Sequence, residues 1–501
     1  MPLDKGESRS LRVREQLDHP VIDGDGHTQE FHPIFLEYFR EVAGPEVTDR
    51  YINARLRASP WHSASVAERQ DKRISRPPFW TMPAKNSFDL ATAMLPDLFR
   101  ARFDQIGIDF AVVYTSQFHI LKFRDEEIRR AGCRAVNLMN RDQFKAHADR
   151  MTPAAMIPLD TPEEGIEELE FCVRELGLKA AMINGVVPRS VPFIEREAPG
   201  AARHSMWIDS LCVDSAYDYD PFWAKCVELK ICPTTHASGQ GWGSRQSITN
   251  YSFNHIGAFA AAGEAFCKAL FLGGVTNRFP QLRVGFLEGG VNWAVSLYND
   301  LFEHWEKRNM NALQELLNPA QIDRGLLADM VEKYGGEKFA PYVERFREAD
   351  GSPGARPGHS KEDPDCLDDW ARCGINSPAD IFTRFIPSFY FGCEADDRTI
   401  AHGFNTGCNK MGARLNALFS SDVSHWDVSD MTETLAEAFE LVERNLITTD
   451  DFRDFTFTNM VKLQAGLNAD FFKGTAVETE AAAVLAADRA AVFPSASVQT
   501  R

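Results

Sequence analysis

At 501 residues and 44% hydrophobic content, the chain can bury a sizeable core and still carry large surface insertions. Its 54 Lys and Arg against 72 Asp and Glu leave a net charge of −18, which argues against binding to nucleic acid or to an anionic membrane and leaves small molecules or proteins as partners. No apolar run approaches the roughly 20 residues of a membrane span, and "MPLDKGESRSLRVREQL" lacks the apolar centre of a secretory signal, so the expected location is the cytoplasm.

An N-terminal arm, 1–20, leads into the first strand-type run, 20–25, inside "VIDGDGHTQEFHP", where Asp23, Asp25 and His27 sit at alternate positions. Residues two apart on an extended strand point to the same side, so Asp25-x-His27 reads as half of a metal cage, with Asp23 a supporting or structural carboxylate. An insertion near 45–100 is basic and aromatic. Lys72, Arg73 and Arg76 there are either a solvated loop or a binding site for the phosphates of an acyl-CoA. Further strand-type runs follow at 110–115 ("FAVVYT"), 154–159 ("AAMIPL") and 180–184 ("AAMIN"). Between the last two lies "TPEEGIEELEFCVRELG", where Thr161 can cap, Pro162 opens the first turn, and Ile166, Leu169, Val173 and Leu176 line one helical face. Lys179 stands at the start of its run, away from the strand end.

The fifth run, 232–236, ends in "TTHASG" with His236, and "SGQGWGSRQSITN" beyond it offers Trp242 and Arg245 to a substrate, Trp242 serving equally as core filling. His255 opens an apolar helical run, either as a ligand or acid at the cavity edge or as a packed helix-start residue. The sixth run, 283–288, ends in "LEGG" with Glu288, a ligand or a salt-bridged carboxylate. After a second insertion near 308–380 come 389–393, followed by Glu394, which lines the mouth or pairs with Arg384, and 417–422, ending in "SSDVSH" with Asp422. His425 contacts substrate, orients Asp422 or is an ordinary loop residue. The barrel is expected to close near 475, leaving a tail, 476–501, that forms a peripheral or intersubunit helix in a homo-oligomer. The ten scattered cysteines form no CxxC pair and read as reduced core residues.

Eight strand-type runs with helical crossovers predict an α/β protein, a (β/α)8 TIM barrel, whose chemistry gathers at the carboxyl ends of the strands. Those ends bring Asp25, His27, His236, Glu288 and Asp422 toward one mouth, an oxygen and imidazole set suited to one or two divalent ions.

D-x-D-x-H on the first run, His on the fifth, an acid before GG on the sixth and "SD-x-x-H" on the eighth resemble the amidohydrolase superfamily, and its amidohydrolase-2 branch in particular. "ALFLGGVTNRFPQLRVGFLEGG", "WAVSLYNDLFEHWEKRN" and "FELVERNLITTDDFRDFTFTNMVKLQ" resemble the same branch, over roughly 21–474. Where the common pattern has H-x-H, this chain has Asp25; where it has a strand-6 His, this chain has Glu288. Both departures add oxygen, which suits iron, zinc or manganese and makes a two-metal site plausible. The resemblance implies a hydrolase in which a metal-activated water attacks an amide, ester, lactone or thioester carbonyl. Asp422 would take the water's proton, and His255 or His425 would return one to the leaving group. In ligand type the set is similar to a diiron thioesterase of the superfamily. The branch also contains metal-dependent non-oxidative decarboxylases, which is the alternative expectation; a catalytically silent barrel used for binding is a third.

Overall fold

The computed structural model describes residues 7–58, 61–77, 86–236, 246–318, 321–348 and 367–492. Eight parallel strands form its centre: β1 (Ile22–Thr28), β2 (Phe110–Thr115), β3 (Met151–Ile157), β4 (Ala180–Ile183), β7 (Pro233–Thr235), β8 (Val284–Phe286), β9 (Phe389–Glu394) and β10 (Asn416–Ser420), hydrogen-bonded in that order. A short antiparallel hairpin, β5 (Val187–Ser190) with β6 (Met206–Asp209), interrupts the series and was not anticipated. Strands enclosed on both faces need apolar side chains on both, so "FAVVYT" is buried at every position.

The sheet closes where β1 meets the end of β10. Asp422 N donates to Asp25 O and His27 N donates to Val423 O, both at 3.2 Å. The result is the expected (β/α)8 barrel. Helices cover it, and their apolar faces fill the layer around the strands with residues such as Phe222, Trp223, Phe266 and Tyr298. The crossover helix Pro162–Arg174 starts as expected: Thr161 Oγ1 accepts from Glu164 N at 3.3 Å, with Pro162 in the first turn.

The stretch Tyr251–Leu272 does have the length and apolarity of a membrane span, contrary to the reading of the sequence. Gly257, at φ 70°, divides it into helices Tyr251–His255 and Ala258–Leu272, and the second buries Phe266, Leu270 and Phe271 against the barrel. Near the N-terminus, helix Arg9–Gln16 is tied to helix Thr434–Glu443, with Ala436 N donating to Ser10 Oγ at 3.2 Å. The first insertion contributes helices Val66–Asp71 and Ser87–Met94, the second Arg324–Tyr334 and Val343–Arg347. The Gly/Pro stretch 351–365 lies outside the described residues. Nine cysteines are described and all are unbridged.

Lys179 sits at the amino end of β4, where its ammonium donates to Phe471 O and lies 4.8 Å from the Phe471 ring centroid. It plugs the foot of the barrel, away from the mouth, as its position in the run implies.

Candidate metal centre

The first strand does not run evenly into the site. Asp23 pairs with Ala111 and Gly26 with Val113, so β1 carries one extra residue there, a bulge of the kind that re-aims side chains. Asp23 explains how it is held. Its carboxylate accepts from Ser421 N at 2.9 Å, Ser421 Oγ at 2.6 Å and Asp25 N at 3.1 Å, which fastens β1 to β10 and leaves Asp25 to face the cavity. The supporting role read from the sequence for Asp23 is therefore what the geometry gives. Burial raises its carboxyl to about 6 despite those donors.

Asp25, His27 and His236, all buried, bring one donor atom each together. His27 Nε2 lies 3.4 Å from Asp25 Oδ1 and 3.3 Å from His236 Nε2, and His236 Nε2 lies 3.3 Å from Asp25 Oδ1. On the other side of His27, Asp422 Oδ1 is 3.1 Å from the same Nε2. His425 Nδ1 is 2.6 Å from Asp422 Oδ1 and 3.1 Å from Glu288 Oε1, while Glu288 Oε2 is 3.6 Å from His236 Nε2. All five residues expected as ligands converge, together with His425, in two groups that share His27.

The electrostatics follow from burying these groups together. Burial pushes Asp25 up to about 7 and holds His27 well below the usual imidazole range, reinforced by the neighbouring His425 and His236. Burial alone would lower His236 and His425 too, but Asp25 and Glu288 raise the first, and Asp422 with Glu288 raises the second well above its ordinary value. Glu288 and Asp422 also sit at φ 56° and 48°, in the left-handed region that non-glycine residues seldom occupy, a strain that concentrates at functional sites.

The buried carboxylate of Asp25 faces His236 Nε2 at 3.3 Å and His27 Nε2 at 3.4 Å, all side chains that can ligate, an arrangement costly for an anion and suited to a cation. Ions of this class bind such donors at about 2.0–2.2 Å, which sets neighbouring donors roughly 3–3.5 Å apart, close to the spacings here. His27 Nε2 has one lone pair and lies within 3.4 Å of donors from both groups, so a single ion held by it can draw on both. The residues fit a divalent ion.

Rings pack the cluster. Phe118 stacks on His236 at 4.5 Å and meets His27 edge-on at 5.9 Å, and His27 stacks on His425 at 3.8 Å. Reading the sequence missed Phe118, because nothing local marks a loop phenylalanine as a neighbour of a histidine 118 residues away. His255 stays outside the donor groups. It ends helix Tyr251–His255, stacked on Tyr251 at 5.2 Å and edge-on to Trp426 at 6.0 Å, and these three half-buried rings form an aromatic rim.

The proposed pair of Glu394 with Arg384 does not form. Arg384, on helix Pro378–Ser388 at the amino end of β9, donates to Cys373 O, whereas Glu394 is at the carboxyl end of that strand. There it lines an acidic cavity with Asp422, Asp427 and Glu437, and burial followed by repulsion from Asp422 and Glu288 raises it to about 9. In the first insertion, Lys72 pairs with Glu68 at 3.4 Å, Arg73 is exposed, and Arg76 donates to Thr249 O at 3.0 Å, tying that insertion to the segment after β7. Trp242 and Arg245 lie outside the described residues.

A (β/α)8 barrel with acidic and imidazole donors gathered at its carboxyl mouth defines a class of metal-dependent enzyme scaffold. The chain belongs to the amidohydrolase family: the Amidohydro_2 model, described as amidohydrolase, matches residues 88–352, just over half of it. Among solved structures, it is similar to a 2,6-dihydroxybenzoate decarboxylase complexed with 2,6-dihydroxybenzoate (13% identity, 90% of this chain, 99% of that one, TM-score 0.47). It is also similar to a dihydroxybenzoic acid decarboxylase from Polaromonas sp. JS666 with bound manganese and 2-nitroresorcinol (16%, 91% and 99%, 0.48). A third is an amidohydrolase from Mycobacterium avium subsp. paratuberculosis K-10 (14%, 89% and 100%, 0.48).

Proposed function

We propose that the protein is a metal-dependent non-oxidative decarboxylase of a carboxylic acid bearing a neighbouring hydroxyl on an aromatic ring. Asp25, His27, His236 and Asp422 would hold one divalent ion, with Glu288 closing the cage beside His425. The oxygen-rich set favours manganese or iron, with zinc also able to bind. When bound, the ion supplies Lewis-acid polarisation of the substrate's oxygens.

The observation that carries this reading is the placement of His425, whose Nδ1 lies within reach of two carboxylates at 2.6 and 3.1 Å. An imidazole so placed keeps its proton and serves as an acid, and loss of carbon dioxide requires an acid: as the carbon–carbon bond breaks, its electron pair stays on the ring carbon and takes a proton there. His425 is the group assigned to deliver it. The rim of Tyr251, His255 and Trp426 gives a planar substrate a surface to pack on.

Hydrolysis is the second reading. It is favoured by the same 2.6 Å contact taken the other way, since a carboxylate and imidazole pair can accept a proton from attacking water. The experiment that tests both is a screen of manganese-loaded protein against hydroxylated aromatic acids, with carbon dioxide measured directly, beside a panel of esters, lactones and thioesters. Carbon dioxide release that disappears in His425→Asn supports the decarboxylase. Turnover confined to the ester panel replaces it with the hydrolase.

A further inference from the structure

The residues that hold β1's end to β2's end do not touch the donor cluster, yet they decide where its nearest ring lies. Glu30, three residues beyond His27, accepts on Oε1 from Thr115 Oγ1 and on Oε2 from Ser116 N at 3.2 Å, Ser116 Oγ at 2.5 Å and Gln117 Nε2 at 3.3 Å. Four donors on three consecutive residues thus converge on one partly buried carboxylate. The next residue is Phe118, which is buried and lies stacked 4.5 Å from His236 and edge-on 5.9 Å from His27. At the far end of the same 3₁₀ turn, Phe118–Lys122, Asn184 Nδ2 donates to Leu121 O at 3.3 Å, so the segment is fastened at both ends.

We propose that Glu30 is a positioning residue for the metal centre. Through the Thr115–Gln117 segment it sets the Phe118 ring, and that ring fixes the planes of His236 and His27. The proposal rests on the metal reading above and adds a residue outside the donor groups. The chemistry requires a carboxylate, because each oxygen serves a different donor group. A glutamine has one acceptor oxygen and would turn its own N–H toward either the Thr115 hydroxyl or the Ser116–Gln117 set. Groups outside the donor set that orient metal ligands change affinity by about 10–100-fold when lost, a scale expected of the Phe118 ring as well.

The test is cobalt(II) titration of the metal-free full-length chain, followed by visible absorption and compared across wild type, Glu30→Ala, Glu30→Gln, Phe118→Leu and the Glu30→Ala/Phe118→Leu double variant. Glu30→Ala and Phe118→Leu are each expected to weaken cobalt binding about 10–100-fold and to shift its absorption bands, with Glu30→Gln between them and wild type. Because the two residues act in series, the double variant should be no weaker than the poorer single one. Cobalt binding and spectrum unchanged in Glu30→Ala, or losses that multiply in the double variant, overturn the proposal. If Glu30→Ala does not fold, Glu30→Gln with Phe118→Leu makes the same comparison. His236→Ala marks the failure of the underlying reading: wild type that takes up cobalt no better than His236→Ala refutes the metal centre itself, a different result from a wild type that binds and a Glu30 variant that binds equally well.

Discussion

Replacing Gly26 by alanine would strike the seam of the barrel. An added Cβ would stand 2.6 Å from Asp23 Oδ2 and 3.7 Å from Val423 Cγ2. The carboxylate cannot simply swing away, since that oxygen holds Ser421 Oγ at 2.6 Å and its partner oxygen holds Ser421 N at 2.9 Å. Overpacking of this kind costs about 1–3 kcal/mol. Prising Asp23 off the Ser421 hydroxyl loses a further ~1.5–3 kcal/mol for a buried bond to a charged acceptor. Gly26 is not among the positive-φ residues, so the backbone adds no strain and the loss should be roughly 2.5–6 kcal/mol. Urea unfolding of the metal-free protein at pH 7 measures it. Gly200→Ala, with nothing within 4 Å of the new Cβ, is the control and should stay within about 0.5 kcal/mol of wild type. Removing the hydroxyl with Ser421→Ala frees one side of Asp23, so Gly26→Ala should cost less in that background. A loss below about 1 kcal/mol, or the same loss with and without the Ser421 hydroxyl, would refute the account of the clamp.

Three further outcomes follow from the site. Asp25→Asn should stabilise the metal-free chain at pH 8 by roughly 1–4 kcal/mol, because it removes a carboxylate whose charge is disfavoured by burial and by the neighbouring Glu288 and Asp422, while abolishing the rise in melting temperature expected of wild type on adding manganese; a less stable metal-free variant contradicts this. His425→Asn should keep close to one equivalent of metal by elemental analysis and lose about 10²–10⁴ in kcat, whereas loss of the metal would make His425 a ligand. Glu394 rises from 4.5 to about 9 because of its burial and the acids around it, so the folded chain retains a proton there that the unfolded chain gives up. Stability of the metal-free protein should therefore fall as pH rises from 4.5 to 9, by up to about 1.4 kcal/mol per unit from this group. Glu394→Gln should flatten that slope in denaturant titrations at pH 5, 7 and 9, and equal slopes would refute the assignment.

Much of the barrel could be read before any coordinates because its strands are apolar on both faces and end in polar residues, a pattern local to each run. The 110–115 strand matches Phe110–Thr115 at both ends, and His236, Glu288 and Asp422 each stand just past a strand. What escaped depends on distant partners. The bulge at Asp23 and Gly26 exists because Ser421, 398 residues later, supplies two donors to one carboxylate. Glu394 and Arg384 are ten residues apart in sequence but at opposite ends of β9, so their proximity in the chain was misleading. The β5–β6 hairpin is only four residues per strand and offers "VPRS" and "MWID", too little alternation to register as paired strands. Phe118 and Glu30 matter through what they touch, and no spacing in the sequence encodes that contact.

The place where β1 and β10 join has a bearing on how the chain acquires its ion. Asp25 emerges from synthesis 397 residues before Asp422. Until the last strand arrives, a nascent chain offers a carboxylate, an imidazole and at most His236 and Glu288 on strands whose ring is still open. Closing that ring is the longest-range contact in the barrel, and it is made by the same backbone groups, at Asp25, His27, Asp422 and Val423, that carry or flank the donors. On the metal reading proposed above, selection among competing cations would wait until β10 has closed the barrel, which then sets the spacing. An ion held there would act as a rivet across the joint, coupling its release to opening of the first strand from the last.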